Sequence, residues 1–243
     1  MYHQALATDY DGTLATNGRV DEPTLAALGA LRASGRRLIL VSGRARQDLL
    51  RVFPALHVFD RVVVENGAVL IRPGQNDATP LAQPPPQRLV EALRARGVSP
   101  LSTGDVIVST WQPNEAIVLD VIRELGLEHQ VIFNKGAVMI LPPGINKASG
   151  LAAALDDLRL SPHNVVGIGD AENDQALLRM CGCAAAVANA LPSIKEHADI
   201  VTSGARGAGV REMRRAADRE PPRRPRRAGP APSRGTRRGR ARA

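Results

Sequence analysis

The sequence predicts an α/β protein in which a parallel sheet is interrupted by a smaller α+β unit, and three observations carry that expectation. Apolar strand-like runs alternate with amphipathic helix-like stretches, the pattern of βαβ construction. Two of those runs, RLILVSG (37–43) and NVVGIGD (164–170), are apolar almost throughout, as strands covered on both faces are. Between them, the stretch from Pro73 to Pro86 holds five prolines among Gly, Asn, Asp and Gln, which reads as a boundary. The order of elements changes beyond it.

ALATD (5–9) is the first predicted strand. Residues 21–34 open with acidic residues and a proline and space Leu25, Leu28 and Leu31 at helical intervals, with Gly35 as the stop. The strand over 37–43, a helix over 45–52, the strand RVVV (61–64) and an extended segment over 67–72 continue the alternation. After the proline-rich stretch come a helix (87–96), extended apolar runs around 101–110 and a second helix (114–126). VIFNKGAVMIL (131–141) then reads as two strands about an Asn-Lys-Gly turn. That α-β-β-α-β-β order suits a small antiparallel sheet with helices on one face. PPG (142–144) closes it. A helix from Lys147 to Leu158, a strand (164–170), a helix (173–180), a short strand (184–189), a helix near 192–197 and a last strand (199–202) return to the first unit. The expected division is a discontinuous core over 1–74 and 143–212 with an insert over 75–142. From Arg219 to the end the Arg/Pro/Ala/Gly composition predicts disorder.

At 243 residues and 44% hydrophobic content, the chain can bury one full core and a smaller second one. Its net charge of +8 belongs to the tail: residues 219–243 hold ten Arg against one Glu, which leaves −1 for residues 1–218. A nucleic-acid partner is therefore open only through that tail, as a sequence-neutral anchor without interleaved aromatics. The two cysteines, Cys181 and Cys183, lie in an apolar small-residue stretch and read as core residues of a reduced compartment. The N-terminus has no cationic region followed by a long apolar one, and no run approaches the roughly 18 apolar residues of a membrane span. A soluble, cytoplasmic protein without a membrane partner is expected.

The chemistry begins at LATDYDGTL (6–14), where two aspartates stand at i and i+2 as the first strand runs out. In a parallel α/β sheet, ligands bind at the C-terminal ends of the strands. If extended geometry persists, Asp9 and Asp11 share one face. Carboxylates that close repel each other unless a cation sits there or one of them holds a proton. Either remedy serves catalysis: an ionised aspartate as nucleophile, a partly protonated one as general acid and base, and Mg²⁺ to neutralise phosphate oxygens. Ser42 follows LILV and precedes Gly43 and Arg44, so a hydroxyl and backbone N–H groups at a helix start can cradle phosphate oxygens. Lys147 opens a helix, where its ammonium can offset charge on a transferring phosphoryl group. GIGDAEND (167–174) ends another strand with three carboxylates and an amide, of which Asp170 is best placed to hold a metal.

DYDGT (9–13), VSGR (41–44), Lys147 and GDAEND (169–174), in that order, resemble the four motifs of the haloacid dehalogenase-like hydrolase superfamily, in particular its Cof-type and sugar-phosphatase-like members. VENGAVL (64–70) also looks like the family's stretch just before its cap domain, and the likeness extends over about residues 5–210. The resemblance implies a Rossmann-like core, an inserted cap and Mg²⁺ dependence. Carried over by position, it implies that Asp9 attacks phosphorus and that Asp11 protonates the leaving alcohol and then activates water. It further implies that Thr13 and Ser42 steady the phosphoryl oxygens, that Lys147 offsets charge and that Asp174 orients the lysine. Mg²⁺ would be held by Asp9, the backbone carbonyl of Asp11 and Asp170, with Asn173 contacting the phosphate or a metal-bound water. Glu172 ranks lower, because an acidic residue in a first turn often serves the helix dipole.

Three functions stay open. The first is a phosphatase for small phosphorylated metabolites, of sugar-phosphate or phosphoglycolate type. The second is a phosphomutase, which needs a second phosphate site in the cap, and no clustered cationic motif there demands one. The third is a nucleic-acid-associated protein anchored by the basic tail. Arg88, Arg94, Arg96, Arg123 and Lys135 could reach an anionic substrate but read as solvated surface, and Trp111 is expected in the cap core, with the cleft mouth as the alternative.

Overall fold

The computed structural model describes residues 3–75, 77–134 and 136–216. The disorder expected over 219–243 and the surface position expected of Lys135 lie outside the described residues. The chain runs β1 (Ala5–Asp9), α1 (Glu22–Ala33), β2 (Arg37–Val41), α2 (Arg46–Val52), β3 (Arg61–Val64), β4 (Val69–Arg72) and β5 (Asp77–Pro80). It continues through α3 (Gln87–Ala95), β6 (Ser102–Thr103), β7 (Val108–Trp111), α4 (Glu115–Glu124), β8 (Gln130–Asn134) and β9 (Ala137–Leu141). It ends with α5 (Lys147–Leu158), β10 (Val165–Gly169), α6 (Gln175–Met180), β11 (Cys183–Ala186), α7 (Pro192–Lys195), β12 (Ile200–Val201) and α8 (Gly207–Ala216).

Eight strands form one sheet in the order β12-β11-β10-β1-β2-β3-β4-β5. The six from β12 to β3 are parallel, and β4 and β5 are added antiparallel. The chain lays β2 and β3 on one side of β1 and β10, β11 and β12 on the other. The strand order therefore reverses beside β1, and a crevice opens at the C-terminal ends of β1 and β10, where ligands bind in such sheets. β1, β10 and β11 are buried over their whole length, as their apolar runs require. Cys181 and Cys183 are both buried in this core.

Local signals place the helices. Asp21 caps α1 by accepting the N–H of Thr24 at 2.9 Å, and Gly35, at φ +86°, follows its last turn. A capping box starts α5: Asn146 Oδ1 accepts the N–H groups of Ala148 and Ser149, and Ser149 Oγ accepts that of Asn146. That box sets Lys147 at the first helical position.

A second, antiparallel sheet runs β6-β7-β9-β8. Alternation along its strands sends Val108, Val138 and Ile140 to one face, where Leu89 and Leu93 of α3 and Val118 and Val121 of α4 complete a separate apolar cluster. Ser109, Trp111, Ala137 and Met139 stand on the other face, toward the crevice of the large sheet. Val106, Ile107, Met139 and Leu141 join the large core, so the two sheets are packed together.

Two elements differ from expectation. Residues 77–80, expected in a boundary and insert, form β5 and pair with β4 in the large sheet; β5 is the edge strand, where a proline such as Pro80 at its end is tolerated. A helix over 207–216 had no sequence signal of its own. It packs on α1, where Arg211 bonds Asp21 at 3.0 Å. Trp111 is 53% exposed and lines the crevice, which corrects its expected place in the cap core: its position in β7 alternates with the buried Thr110.

Candidate active site

β1 ends at Asp9, β10 ends just before Asp170, and Lys147 reaches in from the start of α5. Lys147 Nζ donates to Asp9 Oδ1 and to Asp174 Oδ1, each at 2.6 Å, with all three side chains buried. Burial alone would lower the ammonium's pKa, but the carboxylates of Asp174 and Asp9 more than offset it and hold the lysine charged. For Asp9, burial and then Asp174 push the carboxyl up to about 7 while Lys147 pulls the other way. Asp174 spends its second oxygen on the backbone N–H groups of Asp170 and Ala171, at 2.9 and 3.0 Å. It is thus the fixed post of the group, and Asp9 is the carboxylate that looks into the crevice.

Three buried carboxylates, Asp9, Asp170 and Asp174, each offer an oxygen within 4.8 Å of the others. Thr13 donates to Asp170 Oδ1 at 3.1 Å. Hard oxygen donors in a buried group with more negative than positive charge fit a divalent cation.

Asp11 lines the same crevice but leaves the strand: β1 stops at Asp9, and the Asp11 carboxylate turns to the Arg44 guanidinium, which donates through Nε at 2.7 Å and Nη2 at 2.8 Å. Arg44 also bonds Asp48 and lies 5.6 Å over the Tyr10 ring. Burial and the Asp11 charge push the Tyr10 hydroxyl up to about 12, so it stays protonated and donates to the Gly18 carbonyl. The two aspartates are thereby separated, each facing its own cation.

Ser42 is fully buried, and its hydroxyl accepts the N–H of Arg44 at 3.1 Å. Gly43 borders the crevice beside Asn66, Asn173 and Met139, close enough that a Cβ would lie 3.8 to 3.9 Å from each. Asn173 donates to Asn66 Oδ1 at 3.3 Å, while Asn66 Nδ2 and Asn173 Oδ1 are buried with no hydrogen-bond partner among the described residues. A buried, unpaired amide donor beside the Ser42–Gly43 turn is a waiting contact for an anion's oxygen. All nine expected site residues fall in this one region. Asn66 was absent from the expected set, although its segment carried the resemblance, because nothing in a Glu-Asn-Gly string says where an amide will point.

The crevice between the sheets has a volume of about 370 Å³ and is bounded by Asp9, Asp11 and Arg44 below and by Ser109, Trp111, Asn134 and Met139 above. A neighbouring cavity of about 390 Å³, which shares Asn134, has Asp170, Asn189 and Arg206 on its wall. The arginines of the small sheet's helices are not in the crevice. Arg88 and Arg94 on α3, Arg96 just after it and Arg123 on α4 are exposed on the far side of that sheet, and Arg96 and Arg123 pair with Glu124 and Asp120. No helix among the described residues is long and apolar enough to cross a membrane.

The description of the haloacid dehalogenase-like hydrolases matches residues 6–98 and 115–213. A phosphoglycolate phosphatase of Methanothermobacter thermautotrophicus is 31% identical over 217 residues, covering 86% of this chain and 96% of that protein. In fold, a haloacid dehalogenase-like hydrolase from Bacteroides thetaiotaomicron superposes with a TM-score of 0.73 at 20% identity, covering 88% of this chain and 99% of that one. A sugar phosphatase of subclass IIB gives 0.69 at 18% identity, covering 88% and 98%. With its family match running through both the strand ends that carry Asp9 and Asp170 and the helix that carries Lys147, the chain belongs to the haloacid dehalogenase-like hydrolases and is an enzyme, a phosphoric monoester hydrolase.

Proposed function

We propose that the enzyme is an Mg²⁺-dependent phosphatase of small phosphorylated metabolites that works through an aspartyl-phosphate. The observation that carries the reading is the buried Asp9–Lys147–Asp174 chain with Asp170 beside it. Asp9 attacks phosphorus with a carboxylate oxygen, the bond from phosphorus to the ester oxygen breaks, and Asp11, released from Arg44 and protonated from solvent, gives that proton to the leaving alkoxide. In the second half, Asp11 takes a proton from water, the water oxygen attacks phosphorus, and the bond to Asp9 breaks to release phosphate. Lys147 offsets the negative charge that Asp9 and the phosphoryl group share, and Asp174 keeps the ammonium aimed. Thr13, Ser42, Gly43 and Asn173, together with Asn66, surround the phosphoryl oxygens. Asp9, the Asp11 carbonyl and Asp170 would hold the Mg²⁺. When bound, the ion supplies positive charge to the phosphate oxygens and relieves the crowding of carboxylates.

Relatives named phosphoglycolate phosphatases support a small acidic substrate. The crevice favours a hydroxylated, uncharged leaving group of sugar-phosphate type. Its upper wall of Ser109, Thr110, Asn134, Trp111 and Met139 is uncharged, and its one cation among the described lining residues, Arg44, already serves Asp11 and Asp48. A phosphomutase would need a second phosphate seat, for which this wall offers no described cation.

The test is phosphate release from phosphorylated sugars, phosphoglycolate and 4-nitrophenyl phosphate, with Mg²⁺ and after chelation, for wild type and Asp9→Asn. Metal-dependent turnover that the variant loses by at least about a thousandfold is the expected result. Turnover that survives in Asp9→Asn, or no release from any compound by folded, Mg²⁺-loaded protein, would reject the reading.

A further inference from the structure

Glu65 is a fully buried carboxylate that the proposed chemistry does not use. It follows β3, and it and Asn66 both adopt left-handed backbone, at φ +54° and +56°, before Gly67 at +108°. Two consecutive non-glycine residues in that region cost conformational energy that something must repay, and such strain gathers where a side chain has to be aimed. The aim is visible. Glu65 Oε1 accepts the N–H of Asp105 at 2.9 Å, and Oε2 accepts those of Val106 and Ile107 at 2.9 and 3.1 Å. These three consecutive amides belong to the loop between β6 and β7, so a side chain of the large sheet fills an anion-binding nest in the small one.

Three further contacts converge on that seat. Gly104 presses on the carboxylate so closely that a Cβ there would stand 2.4 Å from Oε1. Asp105 turns back to Arg46 of α2, which donates through Nε at 2.6 Å and Nη2 at 3.2 Å. Val106 and Ile107 are buried in the large core, and Ile107 also borders the crevice. On the other side, the Glu65 N–H donates to the Arg44 carbonyl at 2.8 Å and the Asn66 N–H to the Ser42 carbonyl at 3.0 Å. One turn thus holds the roof of the crevice by a side chain and its phosphate-facing floor by the backbone.

We propose that Glu65 is a positioning residue: it latches the loop 104–107 onto the large sheet and so fixes the height of the small sheet over Asp9 and Asp11. The latch matters to substrates that touch both walls. It matters little to a compact aryl phosphate that engages only the floor. The kinetic arm rests on the phosphatase reading, whereas amide exchange does not.

Two variants of the full chain test it. Glu65→Gln keeps the shape and removes the charge. Gly104→Ala drives a methyl group into the same carboxylate from the opposite side, without touching Glu65. In both, amide exchange at 105–107 should speed up by about tenfold or more. KM for the best-cleaved metabolite of the panel should rise about tenfold with kcat within about twofold, and 4-nitrophenyl phosphate kinetics should hardly move. The double variant should be no worse than the worse single one, since both break one contact. Unchanged protection at 105–107 in the two variants, or an equal loss of kcat on both substrates with KM constant, would overturn the proposal. If Glu65→Gln fails to fold, Gly104→Ala alone decides by the same readouts. Wild type that releases phosphate from nothing would sink the phosphatase reading and leave the exchange result to decide the latch.

Discussion

Lys147 is 2% exposed and stands between two carboxylates that are themselves buried. Such a charge is held in place by its partners, and removing it leaves both of them uncompensated. Lys147→Met should cost about 3–5 kcal/mol of stability, read from urea unfolding without metal, because the loss of one partner in a buried ion pair strands the others. A variant as stable as wild type would mean that Asp9 and Asp174 lose their charge or find another cation. Asp170 gives a second measurement at this scale. Mg²⁺ at about a hundred times its dissociation constant should raise the stability of the wild type by about 2.7 kcal/mol, and Asp170→Asn should forfeit most of that gain. Trp111 teaches a complementary lesson: its identity suggested a core, yet strand alternation decided its side, and the opposite face of β7 was already filled by Val108 and Thr110.

Among the elements, α5 carries Lys147 at one end and is clamped at the other. Near its C-terminus, Asp157 accepts from Arg72 of β4, at 2.8 Å from Nη2, and from Arg61 of β3. The hydrogen bond from Arg72 is the largest influence on its pKa; burial opposes it, and the bond from Arg61 with the charges of both arginines helps bring the value from 3.8 down to about 2. The folded-state value lies below the unfolded one, so the stabilisation is complete above about pH 4 and is lost as pH falls through about 2. Discounted for solvent screening, it amounts to about 1 kcal/mol. Unfolding curves of wild type and Asp157→Asn should therefore differ near neutral pH and converge toward pH 2. The turn between β3 and β4 is the other support of α5. At φ +108°, Gly67 packs so tightly that a Cβ would stand 1.9 Å from the Asn146 carbonyl oxygen, in the cap of that helix. Gly67→Ala should cost several kcal/mol, roughly 3 or more, and lower the unfolding midpoint, since strain and collision with backbone add.

For the whole molecule, the site is a product of topology. Asp9, Ser42, Lys147 and Asp170 come from positions as far apart as 9 and 170, and they meet because β1 sits between β2 and β10 where the strand order reverses. The +9 of residues 219–243 is separate in charge from the −1 of the rest. If the tail is a nucleic-acid anchor, a chain cut after Asp218 should lose any RNA or DNA that the full chain retains at low salt, and unchanged phosphatase kinetics would show that the tail serves no catalytic role. Altered kinetics would tie the tail to catalysis.

The motif aspartates, the Ser-Gly turn and the helix-starting lysine were legible in the sequence because each lies at the end of an element whose periodicity announces that end, and strand ends are where parallel sheets bind ligands. Element order and the antiparallel character of residues 101–141 were legible for the same reason: both are written in local patterns of burial and turns. Tertiary structure alone decided that Asp11 faces Arg44, that residues 77–80 finish the large sheet, that Trp111 looks into the crevice and that Glu65 seats the loop 104–107. Each of these is a pairing between residues far apart in the chain or a choice between two faces. Local sequence specifies that a carboxylate is present and roughly where its backbone lies, but its partner is set by what the rest of the chain brings within about 3 Å of it.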